Sequence, residues 1–234
     1  MIEIKKKLKD FICIFNILEK LCIETDVSFL PDKIYIRAVH PSNHCFIIFS
    51  IKKDFFEKYD IKEEKTYTLD LQMLNKVLKT VGKKSLIIEE SEDKVIFSNG
   101  KDKFEINYFV GKRDKRPKPD FKSTSKWRIS PPDAFFNTTS GLMDFSGVCK
   151  FGGTDMLELH TKSNLVQGTI ILECKKIESN SCYAFYDLTY IDLIKDIKNI
   201  FKEIKLGFSK DNPIIIKGEN EYVNFEFILA GRVE

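Results

Sequence analysis

The sequence predicts an α+β fold made of two tandem subdomains, each with helices packed against a sheet. The chain has 234 residues, of which 43% are hydrophobic, and this is enough for one large core or two small ones. Near its middle, the stretch GKRDKRPKPDFKSTSK has two prolines and one large apolar residue, a composition typical of an exposed linker. The order strand, helix, strands, helix, strands occurs on both sides of that stretch. We therefore place the first subdomain at residues 1–111, the linker at 112–126 and the second subdomain at 127–234.

Two helices are predicted in the first subdomain. Apolar residues between Leu8 and Leu21 recur close to every 3.6 residues, which predicts an amphipathic helix. The second helix starts after Asp70, whose carboxylate can accept an N–H of the first turn, and ends at Gly82, a residue typical of helix ends. An Asn99-Gly100 pair predicts a hairpin turn. The predicted strands are 2–5, 27–29, 33–39, 45–51, 85–89, 94–98 and 103–110.

The second subdomain repeats this order with different residues. Helices are predicted at 131–145 and 188–201. The predicted strands are 127–129, 148–151, 156–160, 168–175, 204–208, 213–217 and 222–229. Because the halves share little sequence, the repeated order alone argues for a duplicated subdomain, and two unrelated α+β units in succession are the alternative.

Composition argues against membrane and secreted classes. The longest apolar runs have about five residues, whereas a membrane span needs about 20. The N-terminus has charges but no apolar segment of a signal peptide. Six cysteines occur singly, without a CxxC pair, and we interpret them as reduced packing thiols. We expect an intracellular protein without membrane association.

Charge is unevenly distributed along the chain. Residues 1–112 carry 20 basic and 18 acidic residues, residues 113–126 carry 6 and 2, and residues 127–234 carry 12 and 15. This is not the profile of a protein that coats nucleic acid along its whole surface, so any nucleic-acid contact must be local.

The basic residues of the first subdomain follow the polar faces of its helices. One stripe of the first helix contains Lys6, Lys9 and Lys20, and the second helix has Lys76, Lys79 and Lys83 opposite its leucines. Solvated lysines are the ordinary interpretation, and salt-sensitive contact with a phosphate backbone is the alternative. In the second subdomain no Lys or Arg occurs between Ile129 and Cys149, and the last helix has Asp192, Asp196 and Asn199 on its polar face. That half is expected to contribute little to binding a polyanion.

No motif of an enzyme is found. The sequence contains no P-loop, HExxH, GxSxG or GxGxxG. His40, His44 and His160 are too few and too scattered for a metal site. The acidic residues at 89–93 form no assignable catalytic pair. We interpret the chain as a non-enzyme that needs no cofactor or metal.

Four segments resemble one known family. They are KIYIRAVHPSNHCFIIFSIKKDFFEKYDI at 33–61, LDLQMLNKVLKTVGKKSLIIEESED at 69–93, YAFYDLTYIDLIKDI at 183–197, and IKLGFSKDNPIII at 204–216 with FILAGRVE at 227–234. Together, and in this order, they resemble the sliding clamps of the proliferating cell nuclear antigen (PCNA) type from archaea and eukaryotes. The resemblance extends along nearly the whole chain, and the repeat and linker fall where that family has them.

The resemblance implies the DNA clamp fold and a ring of three chains around duplex DNA. Such a ring is a processivity factor that tethers DNA polymerase, clamp loader, ligase and flap nuclease through short peptide motifs. It contacts DNA without reading sequence. It would act in the nucleus of a eukaryote or the cytoplasm and nucleoid of an archaeon. The implied pore residues are Lys9, Lys20, Lys76, Lys79, Lys83 and Lys84.

The resemblance also implies two protein interfaces. Subunits would pair edge strands head to tail, through Phe104, Ile106 and Tyr108 of one chain and Ile170, Leu172 and Cys174 of the next. The family's pocket for partner peptides maps to Val39, Asn43, His44, Phe46, Phe121, Pro213, Ile228, Leu229, Ala230 and Gly231. Core packing is the alternative role of its apolar members.

Several positions depart from the family pattern. His40 replaces an Asp, Gly231 replaces a Pro, Asp196 stands where a base is common, and the linker is basic instead of acidic. These departures fit a subunit specialised within a hetero-trimer, and they also fit a divergent homotrimer. Two other classes stay open: an interaction module for protein or RNA that forms no ring, and a metal-dependent nuclease using scattered carboxylates.

Overall fold

The computed structural model describes residues 1–82, 84–91, 93–111 and 121–232. Most of the predicted linker, residues 112–120, and the predicted pore residue Lys83 lie outside the described residues. The chain folds into two compact units. Within the described residues, the first unit comprises 1–41, 47–111 and 220–225, and the second comprises 42–46, 121–219 and 226–232.

The described residues of the N-terminal half form two α-helices, a 3₁₀ helix at Lys53–Phe55 and ten strands. In chain order they are β1 (Ile2–Ile4), α1 (Leu8–Leu21), β2 (Glu24–Leu30), β3 (Lys33–Val39), β4 (Cys45–Lys52), β5 (Lys58–Tyr59), β6 (Lys65–Asp70), α2 (Leu71–Val81), β7 (Leu86–Ser91), β8 (Lys94–Ser98), β9 (Lys103–Asn107) and β10 (Phe109–Val110). One antiparallel sheet has the order β5-β1-β7-β8-β9, and β10, β6, β2 and β3 lie side by side in another.

Both predicted helices of this half are confirmed. Leu8, Phe11, Phe15 and Leu18 are among the buried residues of α1, as its periodicity predicted. The Asp70 carboxylate accepts the N–H of Met73 at 2.8 Å and caps α2.

The helix α2 ends at Gly82, where the chain passes close to α1. A Cβ on Gly82 would lie 2.9 Å from Cδ1 of Ile12 and 2.4 Å from the carbonyl oxygen of Leu78. Because the Leu78 oxygen belongs to the backbone, a larger residue at this position would shift the end of α2.

In the described part of the C-terminal half there are two α-helices, a 3₁₀ helix at Lys195–Asn199 and nine strands. They are β11 (Ser125–Ile129), α3 (Pro132–Met143), β12 (Val148–Gly152), β13 (Leu157–Lys162), β14 (Gln167–Leu172), β15 (Lys175–Ser179), β16 (Ala184–Asp187), α4 (Leu188–Leu193), β17 (Ile204–Phe208), β18 (Ile214–Glu219) and β19 (Val223–Leu229). One sheet has the order β14-β13-β12-β16, and β18, β17, β11 and β15 lie side by side in another.

The predicted helix at 188–201 is wrong as a single element. The α-helix α4 stops at Leu193, and a 3₁₀ helix follows from Lys195 to Asn199. Buried isoleucines stand at every third position, Ile191, Ile194 and Ile197. A repeat of three matches the three residues per turn of a 3₁₀ helix, which keeps all of these side chains on the core side.

Several strands differ from the sequence prediction. The short strands β5, β6, β15 and β16 were not predicted. The predicted strand 103–110 divides into β9 and β10, and the predicted strand 168–175 ends earlier, with β14 at Leu172. In β6 the polar Thr66 is buried, with its hydroxyl 3.0 Å from that of Ser28. Because buried threonines interrupt an apolar alternation, the pattern did not reveal this strand. The strand β11 begins at Ser125, two residues inside the predicted linker.

The two halves repeat one topology. The order β5-β1-β7-β8 corresponds to β15-β11-β17-β18, and β6-β2-β3 corresponds to β16-β12-β13. This repetition confirms the predicted α+β fold of two similar parts. In the part of the chain that the structure describes, β9 and β14 are sheet edges that pair on one side only.

Candidate functional sites

The lysines predicted on α1 and α2 are exposed. Lys9 and Lys20 on α1 and Lys76 and Lys79 on α2 all point away from the core, and we call this set the lysine face. Lys84, in the loop after α2, is exposed as well. The set therefore offers several cations to solvent on two helices of one unit.

A buried amide fixes the two helices that carry the lysine face. The Nδ2 of Asn75 on α2 donates to the carbonyl oxygen of Phe15 at 3.0 Å and to Oε2 of Glu19 at 2.6 Å, both on α1. Because Asn75 is almost fully buried, these hydrogen bonds are strong constraints on the position of one helix relative to the other.

The corresponding helices of the second unit offer far less positive charge. Lys195 lies 3.0 Å from a carboxylate oxygen of Asp192, and Lys198 lies 3.4 Å from Asp133 and donates to Asn137 at 3.2 Å. The Ser140 hydroxyl also donates to Asp192, at 2.7 Å. Both lysines of this helix layer are thus compensated within their own unit.

The predicted interface strands are sheet edges, but two of their predicted contact residues face inward. Ile106 of β9 and Leu172 of β14 are buried, because each stands opposite an apolar residue on the core side of its own sheet, Val95 and Leu157 respectively. These two belong to the core, which corrects their assignment to a contact surface.

Other residues of the same strands are exposed. Phe104 on β9 and Ile170 on β14 are both more than a third exposed. Ile171, which was not among the predicted interface residues, is 57% exposed. Exposed apolar residues on unpaired edges are typical of strands that pair with another chain.

The remaining two predicted interface residues lie beyond the strands. The ring of Tyr108 is half-buried, with its centroid 4.2 Å from that of Tyr67. Cys174 stands between β14 and β15, where burial raises the pKa of its thiol.

Part of the predicted peptide pocket is built around His44 in the second unit. Nδ1 of His44 lies 3.3 Å from the Tyr190 hydroxyl, which is also 3.1 Å from the Ser42 hydroxyl. The carbonyl oxygen of His44 accepts the N–H of Ala230 at 2.8 Å. Asn43, with φ of 58°, makes the turn that presents His44. The sequence analysis missed Tyr190, which is 146 positions from His44 along the chain.

Two predicted pocket residues are part of the core. Ile228 and Leu229 are 2% and 1% exposed, so neither can line an open surface. Together with Phe227 they form a run buried on both faces of β19, which removes the alternation that would have placed one of them outside. Four others are half-buried in the second unit, namely Phe46, Phe121, Pro213 and Ala230. Val39, in the first unit, is also half-buried, and Gly231 is exposed.

The segment that follows β19 is fixed in place. The Arg232 N–H donates to the carbonyl oxygen of Phe185 at 2.8 Å, and its guanidinium donates to Asp187 at 2.7 Å. The Tyr186 hydroxyl donates to the carbonyl oxygen of Asn212 at 2.8 Å. These bonds hold the chain near Ala230 and Gly231 in one path.

The described residues contain no cluster of three or more His, Cys, Asp or Glu that could hold a metal ion. The imidazole of His160 lies 3.0 Å from Glu158 and 2.7 Å from Thr169. Burial raises the pKa of the Cys45 and Cys149 thiols to about 12, so both are protonated and unreactive at neutral pH. No helix in the described part of the chain is long and apolar enough to cross a membrane.

Two repeated α+β units, a lysine-bearing helix pair and apolar sheet edges are the features to compare with known proteins. The sequence profile of the PCNA N-terminal domain family matches residues 3–112. A DNA polymerase sliding clamp of Archaeoglobus fulgidus is 37% identical over 67 residues, which are 29% of this chain and 27% of that protein. The matched segment thus spans about a quarter of that relative's length.

Solved structures extend the likeness to the whole chain. The PCNA2–PCNA3 complex of Sulfolobus tokodaii has a chain with a TM-score of 0.86 and 23% identity, covering 100% of this chain and 99% of that one. A. fulgidus PCNA with the bound C-terminal region of FEN-1 gives a TM-score of 0.85 and 20% identity, with coverage of 100% and 99%. Residues 3–112 match the PCNA N-terminal domain family, and the whole chain has the fold of the PCNA structures.

Proposed function

We propose that this chain is a subunit of a DNA sliding clamp, a non-catalytic ring that encloses duplex DNA inside the cell. The ring tethers a polymerase and other replication and repair enzymes. The observation that carries the proposal is the pair of free edge strands, β9 and β14, in a fold of the PCNA type. In this proposal residues 1–111 and 127–234 are the clamp subdomains, and residues 112–126 connect them.

The edges support assembly by head-to-tail pairing. An exposed apolar edge is a liability in a monomer, since its free N–H and C=O groups pair readily with another strand. Pairing β9 of one chain with β14 of the next uses two different surfaces, and such a contact closes into a ring when the rotation permits. Phe104, Ile170 and Ile171 would be covered on assembly.

The lysine face supports contact with DNA that is independent of sequence. Lysines on a helix surface neutralise phosphates without reading base edges, so binding depends on salt and leaves the ring able to slide. We assign Lys9, Lys20, Lys76 and Lys79 to the pore, with Lys84, and Lys83 outside the described residues, as neighbours. Because the lysines on the helices of the second unit are already paired with carboxylates, the first unit would make most of the contact with DNA.

The surface around His44 supports docking of partner peptides. Tyr190, Ala230 and Arg232 fix its shape, and Phe46 and Pro213 add partly exposed apolar area. The A. fulgidus relative, which has the same fold, binds the C-terminal region of FEN-1. By extension we propose that a flap nuclease, DNA polymerase, ligase and clamp loader are partners, with Ile228 and Leu229 as buried support.

A hetero-trimer is the second candidate assembly. The weak positive charge of the second unit's helices favours it, because paralogous chains could supply the missing bases. A complex of PCNA2 with PCNA3 is known for the S. tokodaii relative.

Topological retention on DNA tests the proposal. The chain, with its clamp loader and any paralogous chains that copurify, is loaded on nicked circular DNA and passed over a sizing column in high salt. A ring stays on the circle and is lost when the circle is cut once, because it slides off the ends. Equal retention on circular and linear DNA would contradict the proposal, since it would show ordinary surface binding.

A further inference from the structure

The second unit contains a groove that the proposed function does not use. It has a volume of about 610 Å³ and lies on one face of the strands β15, β11, β17 and β18. Gly207 and Ile215 lie on the same face of the sheet as Lys205 and Lys217, and Phe121 and Ile177 also line the groove.

The wall next to β11 is held rigidly. The Thr124 N–H donates to the carbonyl oxygen of Phe208 at 3.2 Å. The Ser209 hydroxyl donates to the carbonyl oxygen of Lys122 at 3.0 Å. A Cβ on Gly207 would lie 2.8 Å from the Ser123 hydroxyl oxygen, so the close approach of this wall requires glycine. Because the groove is formed before binding, few protein side chains need to be ordered when a ligand binds, and the entropy cost of binding is small.

Ile177 of β15 is a further apolar residue that lines the groove. In the pairing of β11 with β15, Lys126 is opposite Glu178 and Trp127 is opposite Lys176, which leaves Ile177 as the extra residue of a β-bulge. Bulges redirect side chains, and Ile177 is 48% exposed. It is a large apolar residue available as an anchor point for a ligand.

The groove carries an excess of positive charge. Lys122, Lys126, Lys205 and Lys217 line it, and Glu178 is its single acidic lining residue. Lys126 is paired with Glu178 at 2.6 Å and Lys217 with Glu226 at 3.4 Å. Within the described residues, neither Lys122 nor Lys205 forms an ion pair.

We propose that this groove binds an extended acidic segment of a partner protein. Carboxylates of the segment would pair with Lys122 and Lys205, and an apolar side chain would pack between Phe121 and Ile177. The charge complementarity selects acidic partners and speeds their association. The groove lies wholly in one unit, so the proposal goes beyond the proposed function and does not depend on ring formation.

A protein segment suits the groove better than nucleic acid does. Phe121, Ile177 and Ile215 give the groove apolar surface between its lysines, and the apolar side chains of a peptide can cover it. A peptide can alternate carboxylates with apolar side chains at a spacing that uses both kinds of surface, whereas a phosphate backbone cannot.

Fluorescence anisotropy with the full chain tests this inference. The probe is a labelled peptide that alternates glutamate and leucine, and the variants are K122E/K205E and I177A. Both changes are on exposed residues and should leave the fold intact. The double variant should weaken binding about tenfold or more, and I177A several-fold. The control K202E, an exposed lysine of the same unit outside the groove, should bind within about twofold of the wild type.

Three results would overturn the inference: no binding of the peptide to the wild type, equal weakening by K202E, or displacement of the peptide from the groove by a single-stranded oligonucleotide of equal charge. The assembly mass of K122E/K205E should equal that of the wild type. A loss of peptide binding is therefore distinguishable from a failure of ring formation.

Discussion

At the residue scale, Asn75 fixes the surface that carries the lysine face. It occupies an inward position of α2 that would ordinarily hold an apolar residue, and its amide instead reaches across to the backbone and a side chain of α1. The helix pair is thus specified by a polar contact as well as by apolar packing. Gly82 adds to this specification by permitting close approach at the end of α2.

Replacing Asn75 with alanine should destabilise the first unit. Asn75→Ala removes the two hydrogen bonds to the carbonyl oxygen of Phe15 and to Glu19, at a combined cost of about 1–3 kcal/mol. We expect the free energy of unfolding in urea to fall by that amount with an unchanged m-value. The exposed neighbour gives the control: Lys76→Ala should change stability by less than about 0.5 kcal/mol. Equal effects of the two changes would contradict the role of the amide bridge.

At the element scale, the helices and the edge strands have different proposed roles. The helices α1 and α2 present cations, whereas β9 and β14 present free backbone groups and apolar side chains. Each role follows from the geometry of the element: a helix surface displays long side chains at regular spacing, and an unpaired strand offers a ready template for another strand. Changes in one kind of element should therefore leave the other function intact.

Charge reversal on α2 should weaken retention on DNA and leave assembly unchanged. Lys76→Glu with Lys79→Glu replaces two cations of each subunit by anions, so we expect a residence time on circular DNA roughly tenfold shorter and a weaker dependence on salt. The solution mass should not change, since both side chains are exposed on α2 and neither belongs to β9 or β14. Lys202→Glu, on the surface of the second unit, is the control. Unchanged retention in the double variant would show that these two lysines do not contact DNA in the pore.

A charge on β14 should prevent assembly. Ile171→Lys places an ammonium group where an apolar residue would be covered by the next chain, and we expect association to weaken roughly a hundredfold. Phe145→Lys, a similar change at an exposed residue after α3, should assemble normally. Sedimentation velocity measures both. An Ile171→Lys variant that assembles like the wild type would show that β14 is not the contact.

At the scale of the whole molecule, the duplicated order of elements was predictable from sequence, but several strands and contacts were not. Periodicity and a cap residue were enough for α1 and α2, because those signals are local. The strands β5 and β6 are short or contain buried threonines, so their local patterns resemble loops.

The candidate sites were predictable only in part, because they too depend on contacts that are distant in sequence. Exposure depends on packing between distant segments, which a single sequence does not encode locally. Ile228 and Leu229 are buried because β19 is covered on both faces, and Tyr190 meets His44 only through the tertiary fold. The exposed lysines of α1 and α2 were predictable because one helical face determines them.

The measurement that tests the ring most directly is the solution mass, by light scattering, of the chain alone and of the assembly that copurifies with it. We expect three chains in the assembly. If the chain assembles alone, its mass is near three times 27.2 kDa. If paralogues take part, the copurified assembly contains three chains in total. A 27.2 kDa monomer in both preparations would contradict the account, because the edges β9 and β14 would then join no other chain.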